Sequence, residues 1–228
     1  MINYRQIFDV WRKLLVENES FDIERNPTSL RVLDFDHTVA FTGELVYIIS
    51  PEDNVIETLD SEEYSHHTFS RDEIIAGYRY DFREFDDVDP SLATENQYVT
   101  EILKNFINAG DTQDRIILIL TARNQEAEPG IRNYLETIGI DHSNIRIVGV
   151  GSSSPQKKVD EMARILDQYA SIDRVSFFDD SSKNTDEMVK FFESYEEETG
   201  REINFDVAKV EQDGRLIRLP GYRTRKKR

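Results

Sequence analysis

Two aspartates one residue apart, Asp34 and Asp36 in "LRVLDFDHTVAF", close an apolar run, and Thr38 follows two places on. A second apolar run, "RIILILT", ends in Thr121 and leads to Arg123, while "RVSFFDD" ends in Asp179 and Asp180. After "NIRIVGV", a small-residue stretch leads to Lys157 and Lys158 at the start of a helical pattern. Three or four carboxylates gathered at one place repel and raise one another's pKa unless a cation sits among them. Oxygen ligands without cysteine or a histidine cluster suit a hard ion, Mg²⁺ above all. A threonine hydroxyl, an arginine and a lysine beside that ion suit an anion with several oxygens, and phosphate is the obvious candidate.

The elements that must gather these groups are legible as an alternation. The four runs just named are continuously apolar and not alternating, which is the pattern of strands covered on both faces. Helical spacing falls between or after them, at about 95–109, 125–138, 156–170 and 184–196. Strand, helix, strand, helix predicts a parallel sheet, and ligands of such sheets bind beyond the carboxyl ends of the strands. The polar groups all lie at that edge. Tyr4, Ile7, Phe8, Trp11, Leu14 and Leu15 share one helical face, so an amphipathic helix is expected over 4–17, packed on the core.

Composition narrows the class. The 228 residues carry a formal charge of −17 with 32% charged and 38% apolar residues, so the body is strongly acidic and unsuited to gripping polyanions. No cysteine is present, which excludes disulfides, thiolate metal sites and a cysteine nucleophile. No apolar stretch is long enough for a membrane span or a signal peptide, so a soluble cytoplasmic protein without membrane partners is expected.

"DFDHT", the threonine of "LTAR", a lysine near a helix start and "FFDDS", in that order at strand ends, resemble the haloacid dehalogenase (HAD) superfamily of phosphatases over about residues 30–196. "LTARNQEAEPGIRNYLETIGI" and "FFDDSSKN" are similar to small phage proteins of that superfamily, which would place the protein in a host cytoplasm. The resemblance implies a Rossmann-like α/β three-layer sandwich with a mostly parallel sheet and a small inserted cap or flap. It makes Asp34 the nucleophile that forms an aspartyl-phosphate. Asp36 becomes the general acid and later the base, with its backbone carbonyl on the metal. Thr38, Thr121, Arg123 and Lys158 become phosphate-binding residues, and Asp179 and Asp180 join Asp34 and Asp36 in holding Mg²⁺. The implied function is a Mg²⁺-dependent phosphomonoesterase acting on a phosphorylated small molecule, a nucleotide or a nucleic-acid end. The alternative is a catalytically idle binding or assembly module using the same pocket.

Bland readings stand beside several of these. Arg123 could salt-bridge to the acidic surface, Asp180 could cap a helix, and either Lys157 or Lys158 could be the site lysine, with the spacing favouring Lys158. A single domain over 1–228 is expected, with the cap inserted at 42–94. The cap contains a hairpin, "LVYIISPEDNVIETL", turning at Ser50 to Asn54. Tyr64, Phe69, Tyr78, Tyr80, Phe82 and Phe85 are expected to glue the cap together more than to stack on a base. Residues 215–228 hold seven basic and no acidic residues, either a nucleic-acid contact or a tail lying on its own acidic body.

Overall fold

The computed structural model describes residues 26–109 and 114–219. The helix expected over 4–17 and the end of the basic tail lie outside them. In chain order the elements are β1 (Ser29–Leu33), β2 (Ala40–Phe41), β3 (Val46–Ile49), β4 (Val55–Leu59), α1 (Ser61–His66), α2 (Arg71–Ala76), β5 (Arg79–Asp81), β6 (Thr94–Glu95) and α3 (Gln97–Asn108). There follow β7 (Arg115–Thr121), α4 (Glu128–Thr137), β8 (Ile145–Gly149), α5 (Pro155–Gln168), β9 (Arg174–Asp179), α6 (Ser182–Thr199), β10 (Asn204–Val210) and β11 (Leu216–Arg218).

The main sheet runs β11-β10-β9-β1-β7-β8, parallel throughout except for β11. Its strands bury both faces, and residue parity decides which. Leu30, Val32, Ile116, Leu118, Leu120, Val175 and Phe177 pack with Met162, Ile165, Leu166, Met188, Phe191 and Phe192 from α5 and α6. Leu33, Ile117, Ile119, Ile145, Ile147 and Phe178 pack with Val99, Leu103, Ile131 and Leu135 from α3 and α4 on the other face. The protein is therefore a three-layer, Rossmann-like α/β sandwich. The chain moves from β1 outward to β7 and β8, then returns to β9 and β10 on the other side of β1. The direction of winding reverses between β1 and β9, which is where such folds open a crevice for ligands.

A second, antiparallel sheet, β4-β3-β5, lies in the segment between β1 and α3, and the hairpin turns at Ser50 to Asn54 as expected. Val46, Ile48 and Leu59 form its core with Tyr64, Phe69, Tyr78, Tyr80 and Phe85, so these aromatics pack the small sheet together. Asp60 and Ser70 close capping boxes at the starts of α1 and α2.

Both short helices, β5, β10 and the edge strand β11 escape the sequence reading. In "NFDVAKV" the apolar residues fall at Phe205, Val207, Ala208 and Val210, broken by Asp206 and Lys209. The strand is paired on both sides, with β9 and β11, yet these two charged residues break the continuous apolar run that announces the other parallel strands.

The segment returning from the small sheet meets the core at Gly130 in α4. A Cβ there would stand 2.7 Å from the Val88 nitrogen and collide with the Asp87 carboxyl. Gly130→Ala is expected to lower the unfolding free energy by about 1–3 kcal/mol in denaturant titration; an unchanged midpoint would show that the Asp87–Val88 segment moves aside freely.

Candidate active site

Phe35, between Asp34 and Asp36, is fully buried and packs edge-on against Tyr134, ring centroids 5.7 Å apart. The Asp34 N–H donates to the Phe178 carbonyl at 2.8 Å, carrying the β1–β9 ladder one residue beyond the strands. The Phe35 carbonyl then accepts from Thr38, Val39 and Ala40, folding the chain into a tight loop with His37 in the left-handed region at φ 55°. Asp34 therefore stands in the crevice beside Asp179, at the point where the winding reverses.

Lys158 reaches this place from the first turns of α5. Its ammonium lies 2.9 Å from Asp34 Oδ1 and 2.8 Å from Asp179 Oδ2, and the side chain is 2% exposed. Lys157, one residue earlier, is exposed, so the geometry decides for Lys158. Burial works to lower the Lys158 pKa, but the two carboxylates, Asp179 first, hold it above the ordinary value. Asp179 is fully buried and also accepts from the Ser181 N–H at 2.9 Å and from Asn184 Nδ2 at 3.0 Å on both oxygens.

Asp34, Asp179 and Asp180 each bring an oxygen within 4.8 Å of the others. Three carboxylates against one lysine leave two negative charges uncompensated. Burial raises Asp34 well above the carboxylate range and Asp179, Asp180 and Asp36 push it further, with Lys158 opposing. Burial, then Asp179, raises Asp180 to about 7. An all-oxygen donor set with two surplus charges fits a hard divalent cation.

Asp36 lives in a different environment. Its burial would raise its pKa, but the Arg123 charge and hydrogen bonds prevail and lower it, with help from Thr42. Arg123 Nε donates at 3.0 Å and Nη2 at 2.7 Å to the Asp36 carboxylate, and the Thr42 hydroxyl donates at 2.8 Å. Thr121, at the end of β7, has its hydroxyl 3.5 Å from Asp36 Oδ2 and accepts from the Arg123 N–H.

The structure thus brings Asp34, Asp36, Thr121, Lys158, Asp179 and Asp180 to one edge. Two residues read as phosphate ligands are engaged elsewhere. Thr38 is fully buried and joins two loops, its hydroxyl accepting from the Asp180 N–H at 3.1 Å. Arg123 donates to the Asp36 carboxylate and to the Asp87 carbonyl and lies against Glu44. The helix cap after β9 is Ser181 and not Asp180. Asn184 and Glu44 escaped the sequence reading. Asn184 could have been found from its place in "DDSSKN", in the first turn of the helix after the strand-end aspartates; Glu44 carries no local signal.

The family described as HAD domain family 1 in Swiss Army Knife RNA repair proteins matches residues 53–219, and the chain belongs to that family. The matched span holds Thr121, Lys158, Asp179 and Asp180 and begins after Asp34 and Asp36. No curated protein and no solved structure matches the chain. Among the described residues no helix is long and apolar enough to cross a membrane.

The carboxylate cluster makes a prediction about pH. The folded-state pKa of Asp180, about 7, lies above its ordinary value of 3.8, so the folded protein binds this proton more tightly than the unfolded chain. Its contribution is favourable at low pH and is lost as pH rises from about 4 to about 7. In chelator, the melting temperature of wild type relative to Asp180→Asn is expected to fall across that window, and a difference flat with pH would contradict the clustering.

Proposed function

We propose that this protein is a Mg²⁺-dependent phosphomonoesterase that works through an aspartyl-phosphate on Asp34, and that its substrate is the terminal phosphate of an RNA end. The observation that carries this reading is the buried Lys158 bridging Asp34 and Asp179, with Asp36 held apart from them by its own cation. A structural salt bridge needs one carboxylate; a nucleophile facing a phosphate dianion needs its repulsion screened from several sides. Family membership supports hydrolase chemistry, and the family's association with RNA repair proteins favours the RNA end over a small metabolite.

In this mechanism Asp34 attacks phosphorus, its charge screened by Lys158, while the leaving oxygen takes a proton and departs. Asp34, Asp179, Asp180 and the Asp36 carbonyl would hold Mg²⁺, which when bound supplies charge neutralisation to the phosphoryl oxygens. Thr121 donates its hydroxyl to a phosphoryl oxygen. Asp36 then takes a proton from water as that water attacks the aspartyl-phosphate. The arginine that orients Asp36 also favours its ionised form, so Asp36 is ready as base. The proton it hands to the leaving group arrives with a phosphate monoanion, whose second pKa is about 6.

The small sheet, within 42–94 of a single domain, acts as the cap that closes over the leaving group. The basic tail of residues 215–228 adds the charge an RNA strand requires and the acidic body lacks.

Wild type is expected to release phosphate from terminally phosphorylated RNA oligonucleotides in Mg²⁺ and not in chelator. Asp34→Asn should lower kcat/KM by about a thousandfold or more. Tight binding of such oligonucleotides without turnover would establish an idle binding module instead.

A further inference from the structure

The chain crosses between the main sheet and the small sheet twice, outward through Thr42–Glu44 and back through Phe85–Val88. Both crossings converge on one side chain. Arg123 Nη1 donates to the Asp87 carbonyl at 2.6 Å and to the Phe85 carbonyl at 3.4 Å, and the guanidinium lies 5.0 Å from the centre of the Phe85 ring. Its Nη2 lies 3.0 Å from Glu44 Oε1 on the outward crossing, an ionic contact off the hydrogen-bond direction, and Glu44 is itself buried. The remaining donors go to Asp36, which also accepts from Thr42 on the outward crossing. The Arg123 side chain has no exposure. Glu84 reinforces the junction by accepting from the Leu45 N–H at 2.8 Å and from the Tyr47 hydroxyl.

We propose that Arg123 is a positioning residue that holds Asp36 in its working orientation only while the small sheet is docked. The inference rests on the catalytic role of Asp36 proposed above and goes beyond it, because it ties that role to both crossings. Arg123 spends every nitrogen on protein acceptors, so none is left for phosphate. Lifting the small sheet would pull Asp87, Phe85 and Glu44 away from a buried guanidinium and leave its charge short of partners, a costly step. The fork geometry matters: lysine carries the same charge but cannot serve two carboxylates and two carbonyls together. The consequence for function is selectivity. A substrate that prevents the small sheet from seating binds at Asp34 yet meets a misplaced base, so dephosphorylation stalls.

The full chain in Mg²⁺, with an aryl phosphate as substrate, tests this. Arg123→Lys is expected to lower kcat about tenfold or more, as loss of acid–base assistance does, and to lower KM with it, while kcat/KM and inhibition by inorganic phosphate stay within about twofold. Phosphate carried on the enzyme at steady state should rise, since the base step is the one slowed. A tenfold weakening of inorganic phosphate inhibition with kcat preserved would overturn the proposal and restore Arg123 as a phosphate ligand. A second measurement needs no activity: in chelator, Asp36→Asn and Glu44→Gln should each speed amide hydrogen exchange in residues 42–47 and 85–88 relative to β7 and β8. Unchanged exchange in both segments would overturn the coupling, even if the phosphatase reading itself had failed in the first experiment.

Discussion

Burying several carboxylates at the end of a parallel sheet is costly unless counter-charges stand among them, and two cations meet that requirement in part here. Lys158 lies between Asp34 and Asp179, and Arg123 lies between Asp36 and Glu44. Removing either cation would leave uncompensated charge in a buried place, so loops from five parts of the chain are locked to each other through these two side chains. The division also separates Asp34 from Asp36, although they are two residues apart. One has its pKa raised by burial and neighbouring acids; the other has it lowered by an arginine that outweighs burial. A divalent cation among Asp34, Asp179 and Asp180 would draw Asp34 back toward the ionised form that a nucleophile needs.

The fold explains why this place and no other. Winding outward through β7 and β8 and then back to β9 and β10 leaves β1 and β9 adjacent, with the helices that follow them on opposite faces. The loop after β1 is therefore free to accept a long insertion, and the small sheet occupies it. The same opening admits Lys158 from α5 and the start of α6, whose Ser181 and Asn184 hold Asp179 in place. Position in the topology and partition of charge are thus two aspects of one arrangement.

Much of this was legible in the sequence because it is written locally. Continuous apolar runs announce doubly covered strands, and aspartates at their ends announce an edge with charge on it. What was not legible depends on partners distant in the chain. Nothing near Glu44 reveals that it will meet Arg123, and "LTAR" reads equally well as a phosphate-binding turn or a buried ion pair. His37 adopts the left-handed region although its residue type only weakly favours it, because the loop closed by the Phe35 carbonyl requires that turn. The strand β10 was hidden by Asp206 and Lys209, which interrupt its apolar run. The small helices α1 and α2 are six residues each, too short for periodicity to register, though their capping boxes were present to be read.

The central claim is that Asp34 becomes covalently phosphorylated, and acid-quenched peptide mapping tests it most directly. The Asp36→Asn protein, mixed in Mg²⁺ with an aryl phosphate whose leaving group needs little protonation, should form the phosphoenzyme and hydrolyse it slowly. The account predicts one phosphoryl group on the peptide containing Asp34, absent when Asp34 is also replaced by Asn. Turnover without any phosphorylated peptide, or a phosphoryl group on another residue, would contradict it.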